Sequence, residues 1–141
     1  MTLKIQDLLQ HAYDEKASDL HVTIGIPPVY RVNGQLKQYS DVVVTVKMVN
    51  EMVEALLPDY KTAEFEAKGE TDFNYSLEGL CRFRINTYHQ RNAGAIAARL
   101  ISSEIPTIES LNMPKVLYNL AEKPQGLILV TGPTGSGKST T

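Results

Sequence analysis

Ten residues limit what this chain can fold into more than any others: Gly132-Pro133-Thr134-Gly135-Ser136-Gly137-Lys138-Ser139-Thr140-Thr141. Two glycines, a lysine and a hydroxyl recur there as G-x-x-x-x-G-K-S, the pattern of a loop that cradles phosphate. Such a loop connects a strand to a helix. The apolar run Leu127-Ile128-Leu129-Val130 predicts the strand, and the helix is expected from near Gly137. Backbone N–H groups hold the phosphate oxygens, so Gly132, Gly135 and Gly137 supply close approach and unusual backbone angles. The helix start adds free N–H donors and the positive end of a dipole. Lys138 reaches the β- and γ-phosphates and the Ser139 hydroxyl ligates Mg²⁺, with Pro133, Thr134, Ser136 and Thr140 completing the loop. The predicted cofactors are therefore ATP and Mg²⁺. The plain alternative is a flexible Gly/Ser-rich tail, and the β-branched run directly in front argues against it.

Four residues follow Gly137, a length at which a helix does not nucleate without packing. No later strand is available to flank Leu127–Thr131. The expectation is a sequence truncated within its phosphate loop. Alone, the 141-residue chain is expected not to hydrolyse ATP, with residues beyond about Thr131 mobile or non-natively packed.

A chain of 141 residues, 43% apolar and 21% charged, has the makeup of one globular domain plus the start of another. A formal charge of −2 with dispersed basic residues gives no electrostatic case for nucleic acid as a main partner, and none is expected. The apolar stretches are too short for a membrane span, and Lys4 and Asp7 interrupt the N-terminal region too early for a signal peptide. The single cysteine, Cys81, fits a reducing cytoplasm, where its strand context makes it a small core residue.

Along the chain, Ile5, Leu8, Leu9 and Ala12 recur at helical spacing and predict a helix over 3–16. Leu20, Val22 and Ile24 alternate with polar residues as a half-buried strand does. Asn33-Gly34 between Val29–Val32 and Gln35–Tyr39 is a hairpin signal. Thr45 is placed to cap a helix over 46–57 that buries Val49, Met52, Val53 and Leu56. A shorter helix over 59–68 stops at Gly69. Strands over 71–77, 80–89 and 95–101 then form an antiparallel meander, with turns at Glu78-Gly79 and Gln90–Gly94. The reading is an α+β domain over 1–101, a linker over 102–113, and over 114–141 the first helix, strand and phosphate loop of an α/β domain.

Ala17-Ser18-Asp19-Leu20-His21, Pro28-Val29-Tyr30-Arg31-Val32-Asn33-Gly34 and Gly132–Thr141 together resemble the type II/IV secretion and type IV pilus ATPases. Glu70-Thr71-Asp72-Phe73, Gly79-Leu80-Cys81-Arg82-Phe83-Arg84-Ile85-Asn86, Gln90, Gly94 and the short lead-in of one helix before Ser18 narrow this to the twitching-motility, pilus-retraction branch. The resemblance covers essentially the whole chain. It implies a PAS-like N-terminal domain followed by a RecA-like ATPase domain. It further implies a cytoplasmic hexameric ring, peripheral to the inner face of the plasma membrane. There ATP hydrolysis drives pilus retraction against an inner-membrane platform protein, without insertion of the chain into the membrane. The family's Asp box, Walker B segment and His box would lie past Thr141.

The resemblance also implies that Arg82, Arg84 and Arg99 approach the γ-phosphate when the domains close, a task that suits forked, permanently charged guanidinium groups. The residues alone equally allow a solvated strand face, with Glu70 and Asp72 as ion-pair partners. Asp19 and His21 share one strand face and are expected to be a hydrogen-bonded structural pair. Arg31 contacts nucleotide or braces the hairpin. His11 and His89 have no partners legible in sequence and are expected at the surface. Two functions follow from these alternatives: a motor ATPase, or a stand-alone PAS-like interaction domain with a vestigial phosphate loop. A small-molecule kinase is disfavoured, because such enzymes usually place the loop near the N-terminus.

Overall fold

A computed structural model describes residues 3–90, 92–102 and 106–141. The chain divides into two compact units, Met1–Ser103 and Glu104–Thr141. Residues 103–105 of the expected linker lie outside the described residues.

The first unit is one six-stranded antiparallel sheet with three helices. Its strands are β1 (Asp19–Val22), β2 (Val29–Val32), β3 (Gln35–Gln38), β4 (Glu70–Leu77), β5 (Cys81–Gln90) and β6 (Ala93–Ile101). They lie in the order β3-β2-β1-β6-β5-β4. The meander β4-β5-β6 and the hairpin β2-β3 are the local pairings that the sequence predicts. The join between them, β1 against β6 with Leu20 opposite Ala98, is long-range. Asn33 and Gly34 have φ of 50° and 79°, the left-handed pair that a two-residue hairpin turn requires. Within the expected Gln90–Gly94 turn, Gln90 still pairs with Ala93, and residue 91 lies outside the described residues.

Helices α1 (Ile5–Asp14), α2 (Val46–Leu56) and α3 (Asp59–Lys68) cover one face. In α1 the buried residues are Ile5, Leu8, Leu9 and Ala12, and in α2 they are Val49, Met52, Val53 and Leu56, the stripes set by helical spacing. Thr45 Oγ1 accepts from the Met48 N–H at 3.3 Å. Gly69, at φ 74°, ends α3. Gly94 lets α2 approach β6 closely. A Cβ there would lie 3.0 Å from Val53 Cγ2, and its N–H instead donates to Asn50 Oδ1 at 3.1 Å. Tyr30 crosses the core, its hydroxyl donating to the Leu8 carbonyl at 3.0 Å. Burial, then the nearby Tyr39, push its pKa well up, so it remains a donor.

Of the two histidines expected at the surface, His89 is exposed as expected, whereas His11 is half-buried. His11 packs edge-on to Tyr30 and Tyr39, with ring centroids 5.1 and 4.9 Å away. His89 stacks on Phe65 at 4.5 Å. Both are partnered through contacts distant in sequence.

The core contains one unpaid polar cost. Thr87 is 0% exposed, and its Oγ1 is without a hydrogen-bond partner among the described residues. Its cross-strand neighbour Thr71 donates to Glu64 Oε2 at 3.2 Å. A buried unpaired hydroxyl is destabilising, so Thr87→Val is expected to stabilise the first unit by about 1 kcal/mol in urea unfolding. A loss of stability would mean that the hydroxyl finds a partner.

In the second unit, residues 107–112 of the expected linker wind into turns. The Thr107 carbonyl accepts from the Leu111 N–H, and Thr107 Oγ1 from the Ser110 N–H, both at 3.1 Å. Helix α4 (Val116–Ala121) follows Pro114, and Tyr118 donates to Glu109 Oε1 at 2.6 Å. The strand expected over Leu127–Val130 does not form. Leu127 is 82% and Leu129 74% exposed. A strand exists only through hydrogen bonds to a neighbour, and no described segment pairs with this one. No helix among the described residues is long and apolar enough to cross a membrane.

Candidate functional site

The residues of the expected phosphate loop, in the second unit, form a closed turn. Gly135 and Gly137 have φ of 81° and 93°, angles that side-chain-bearing residues rarely adopt. The Ser136 N–H donates to the Pro133 carbonyl at 3.2 Å. Lys138 folds back across the loop, Nζ donating to the carbonyls of Gly132 at 2.7 Å and Pro133 at 3.1 Å. The expected helix is here a single turn, in which the N–H groups of Thr140 and Thr141 both donate to the Gly137 carbonyl at 3.0 Å. Thr134, Ser139 and Thr140 are exposed along it. The left-handed glycines let the backbone double back here, and the exposed Lys138 ammonium is held by two carbonyls at the start of the loop.

The predicted arginines lie in the first unit, on the sheet face opposite the helices. Antiparallel register brings residues from five strands into one row: Arg31 opposite Asp19, Asp19 opposite Arg99, Arg99 opposite Arg84, and Arg84 opposite Asn74. Arg84 and Arg99 are like charges side by side, an arrangement that costs stability unless each is countered. Asp72 Oδ1 lies 3.6 Å from Arg84 Nε, and Asp19 Oδ1 accepts from Arg99 Nε at 3.0 Å. Together with His21 and Asn86 these residues line a shallow cavity of about 180 Å³. Arg82 stands apart, in the next row opposite Ile101, and lines a different hollow beside Leu80.

Asp19 and His21 do share a face, but they are not the expected hydrogen-bonded pair. The Asp19 carboxylate accepts from Ser18 Oγ at 2.8 Å and from Arg99, and lies 3.5 Å from Arg31 Nε. Burial alone would raise its pKa. The hydrogen bonds from Ser18 and Arg99, and the charges of Arg99 and His21, outweigh burial and hold it below the ordinary aspartate value. Arg31 braces the hairpin, Nη1 donating to the Gly34 carbonyl at 3.3 Å. The hub at Asp19 is what sequence reasoning misses. Its partners lie up to 80 residues away, and only the β1–β6 register could have signalled it.

Residues 1–141 match the type II/IV secretion system protein family over their full length. The chain belongs to that family. It is 38% identical over 139 residues to the type IV pilus retraction ATPase PilT of Pseudomonas aeruginosa, covering 99% of this chain and 40% of PilT. It is 33% identical over 138 residues to the type IV pilus ATPase PilU of the same organism, covering 98% of this chain and 36% of PilU. A crystal structure of the pilus retraction motor PilT with bound ADP superposes with a TM-score of 0.81 at 36% identity, covering 98% of this chain and 40% of that one. The chain thus spans about two fifths of the length of the relatives it matches. The α+β fold and the kinship with pilus and secretion ATPases are as the sequence predicts.

Proposed function

We propose that this chain supplies the N-terminal domain and the phosphate loop of a motor ATPase that converts ATP hydrolysis into type IV pilus retraction. The observation that carries the reading is the closed loop at Gly132–Ser139, with its left-handed glycines and Lys138 folded back onto the Gly132 and Pro133 carbonyls. The backbone of Gly132–Gly137 would bind the phosphates, Lys138 would neutralise them, and Ser139 would hold Mg²⁺, which supplies further charge neutralisation when bound. In phosphoryl transfer the protein contributes mainly position and electrostatics. The paired guanidinium groups of Arg84 and Arg99 suit that work better than Arg82, which lies outside their row. Within the motor they would come from the same or a neighbouring subunit as the domains close. The assembly we propose is a cytoplasmic homohexamer acting on an inner-membrane platform protein, as the likeness to the retraction ATPases suggests.

Calorimetry with Mg-ATP tests the reading, comparing the 141-residue chain with a version extended through a complete ATPase domain. The extended protein is expected to bind and hydrolyse ATP. The shorter chain is expected to do neither, since Leu127–Val130 lacks the flanking strands that would hold the loop in place. Absence of binding by the extended protein would remove the motor reading and leave the interaction-domain reading in its place.

A further inference from the structure

The arginine row has an anchor. Among its charged members Asp19 is the least accessible, with a side chain 13% exposed against 75% for Arg99 and 40% for Arg31. One oxygen, Oδ1, accepts from Arg99 Nε, and the other, Oδ2, accepts from Ser18 Oγ and faces Arg31 Nε. Ser18 Oγ thereby fixes the carboxylate from the strand end. The contact to Arg99 uses the inner guanidinium nitrogen, Nε. The terminal nitrogens, which form the outward edge of the fork, are those that a phosphate would meet.

We propose that Asp19 is the positioning residue of the proposed phosphate site: it holds Arg99 by Nε so that the outer edge of the guanidinium is presented to the nucleotide phosphate. A freely rotating exposed arginine would have to be ordered during the reaction, whereas one held in place is ordered beforehand. The lowered pKa of Asp19 keeps the anchor charged at neutral pH. His21, Arg31 and Arg99 face it from its own and neighbouring strands, and Arg84 and Asp72 line the same cavity from β5 and β4. The inference rests on the motor reading and on Arg99 serving the phosphate.

A double-mutant cycle in the full-length ATPase tests it, using Asp19→Asn, Arg99→Ala and the pair together. Arg99→Ala is expected to lower kcat by roughly 100-fold, the scale for one lost charge-stabilising donor. Asp19→Asn is expected to lower kcat by about tenfold, the scale for a group that acts through another, with KM for ATP unchanged. The double variant is expected to match Arg99→Ala, since a positioner without its arginine has nothing left to do. Additive losses, or normal kcat in Asp19→Asn, would overturn the positioning role and leave the motor reading intact. Normal kcat in Arg99→Ala would instead overturn the assignment of Arg99 to the phosphate. A second readout stands apart from turnover: proton exchange at arginine Nε, followed by NMR in the ¹⁵N-labelled 141-residue chain. The Arg99 Nε–H is expected to exchange more slowly than that of Arg82, and to lose this protection in Asp19→Asn. Equal exchange in the unaltered chain would overturn the anchor itself.

Discussion

Lys138→Ala, made in a protein with a complete ATPase domain, is expected to lower ATP turnover by at least about 100-fold, because it deletes the countercharge of the proposed phosphate site. The structure shows what that charge contacts. Nζ bridges the carbonyls of Gly132 and Pro133, which uses two of the three protons an ammonium can donate. The loop is thus tied across its mouth by the residue that would later face the ligand. Binding exchanges neutral carbonyl acceptors for charged phosphate oxygens, and hydrogen bonds to charged acceptors are the stronger ones. Alanine removes both the tie and the countercharge. Lys138→Arg is expected to restore little, since a planar fork does not replace a compact ammonium in so tight a loop. Steady-state turnover at saturating Mg-ATP, alongside calorimetric binding, checks the point. Near-normal turnover in Lys138→Ala would mean that Gly132–Ser139 is not the catalytic phosphate site.

How much of this was legible depends on the range of the interaction. The buried stripes of α1 and α2, the Thr45 cap and the Asn33-Gly34 turn are set by residues within a few positions of one another. All are predicted from local residue type and spacing. Leu127–Val130 shows the limit of that approach. An unbroken apolar run states that a segment is suited to burial on both faces, but a strand forms only when another strand accepts its hydrogen bonds. Exposed as it is, the run keeps the composition of a strand without the conformation. Arg82 and Arg84 are indistinguishable in sequence, two apart on one strand face. The register separates them, setting Arg84 beside Arg99 and Arg82 beside Ile101. Asp19 as the anchor of Arg99, and the aromatic settings of His11 and His89, arise from pairings that no local pattern encodes.

The strand that carries those arginines also makes the first unit vulnerable at one buried position. Phe83→Ala is expected to destabilise the unit by ~3–5 kcal/mol, combining lost transfer energy with the cavity left behind. Phe83 is 1% exposed and lies between Tyr75 on β4 and Leu100 on β6, so neighbours on both sides lose contact when the ring is removed. Domains of this size have only about 5–15 kcal/mol of stability to begin with, and the variant should therefore unfold at much lower urea. The adjacent Arg82 points to the other face and is exposed. Arg82→Ala is expected to change stability by no more than about 0.5 kcal/mol. Far-UV circular dichroism during urea titration of both variants measures the contrast. A loss below about 1 kcal/mol for Phe83→Ala would mean that β5 does not bury this side chain. The contrast also bears on the proposed motor. Arg84 keeps its place opposite Arg99 only while Phe83 and Ile85 hold β5 against the helices, so core packing on one face sets the spacing of charge on the other.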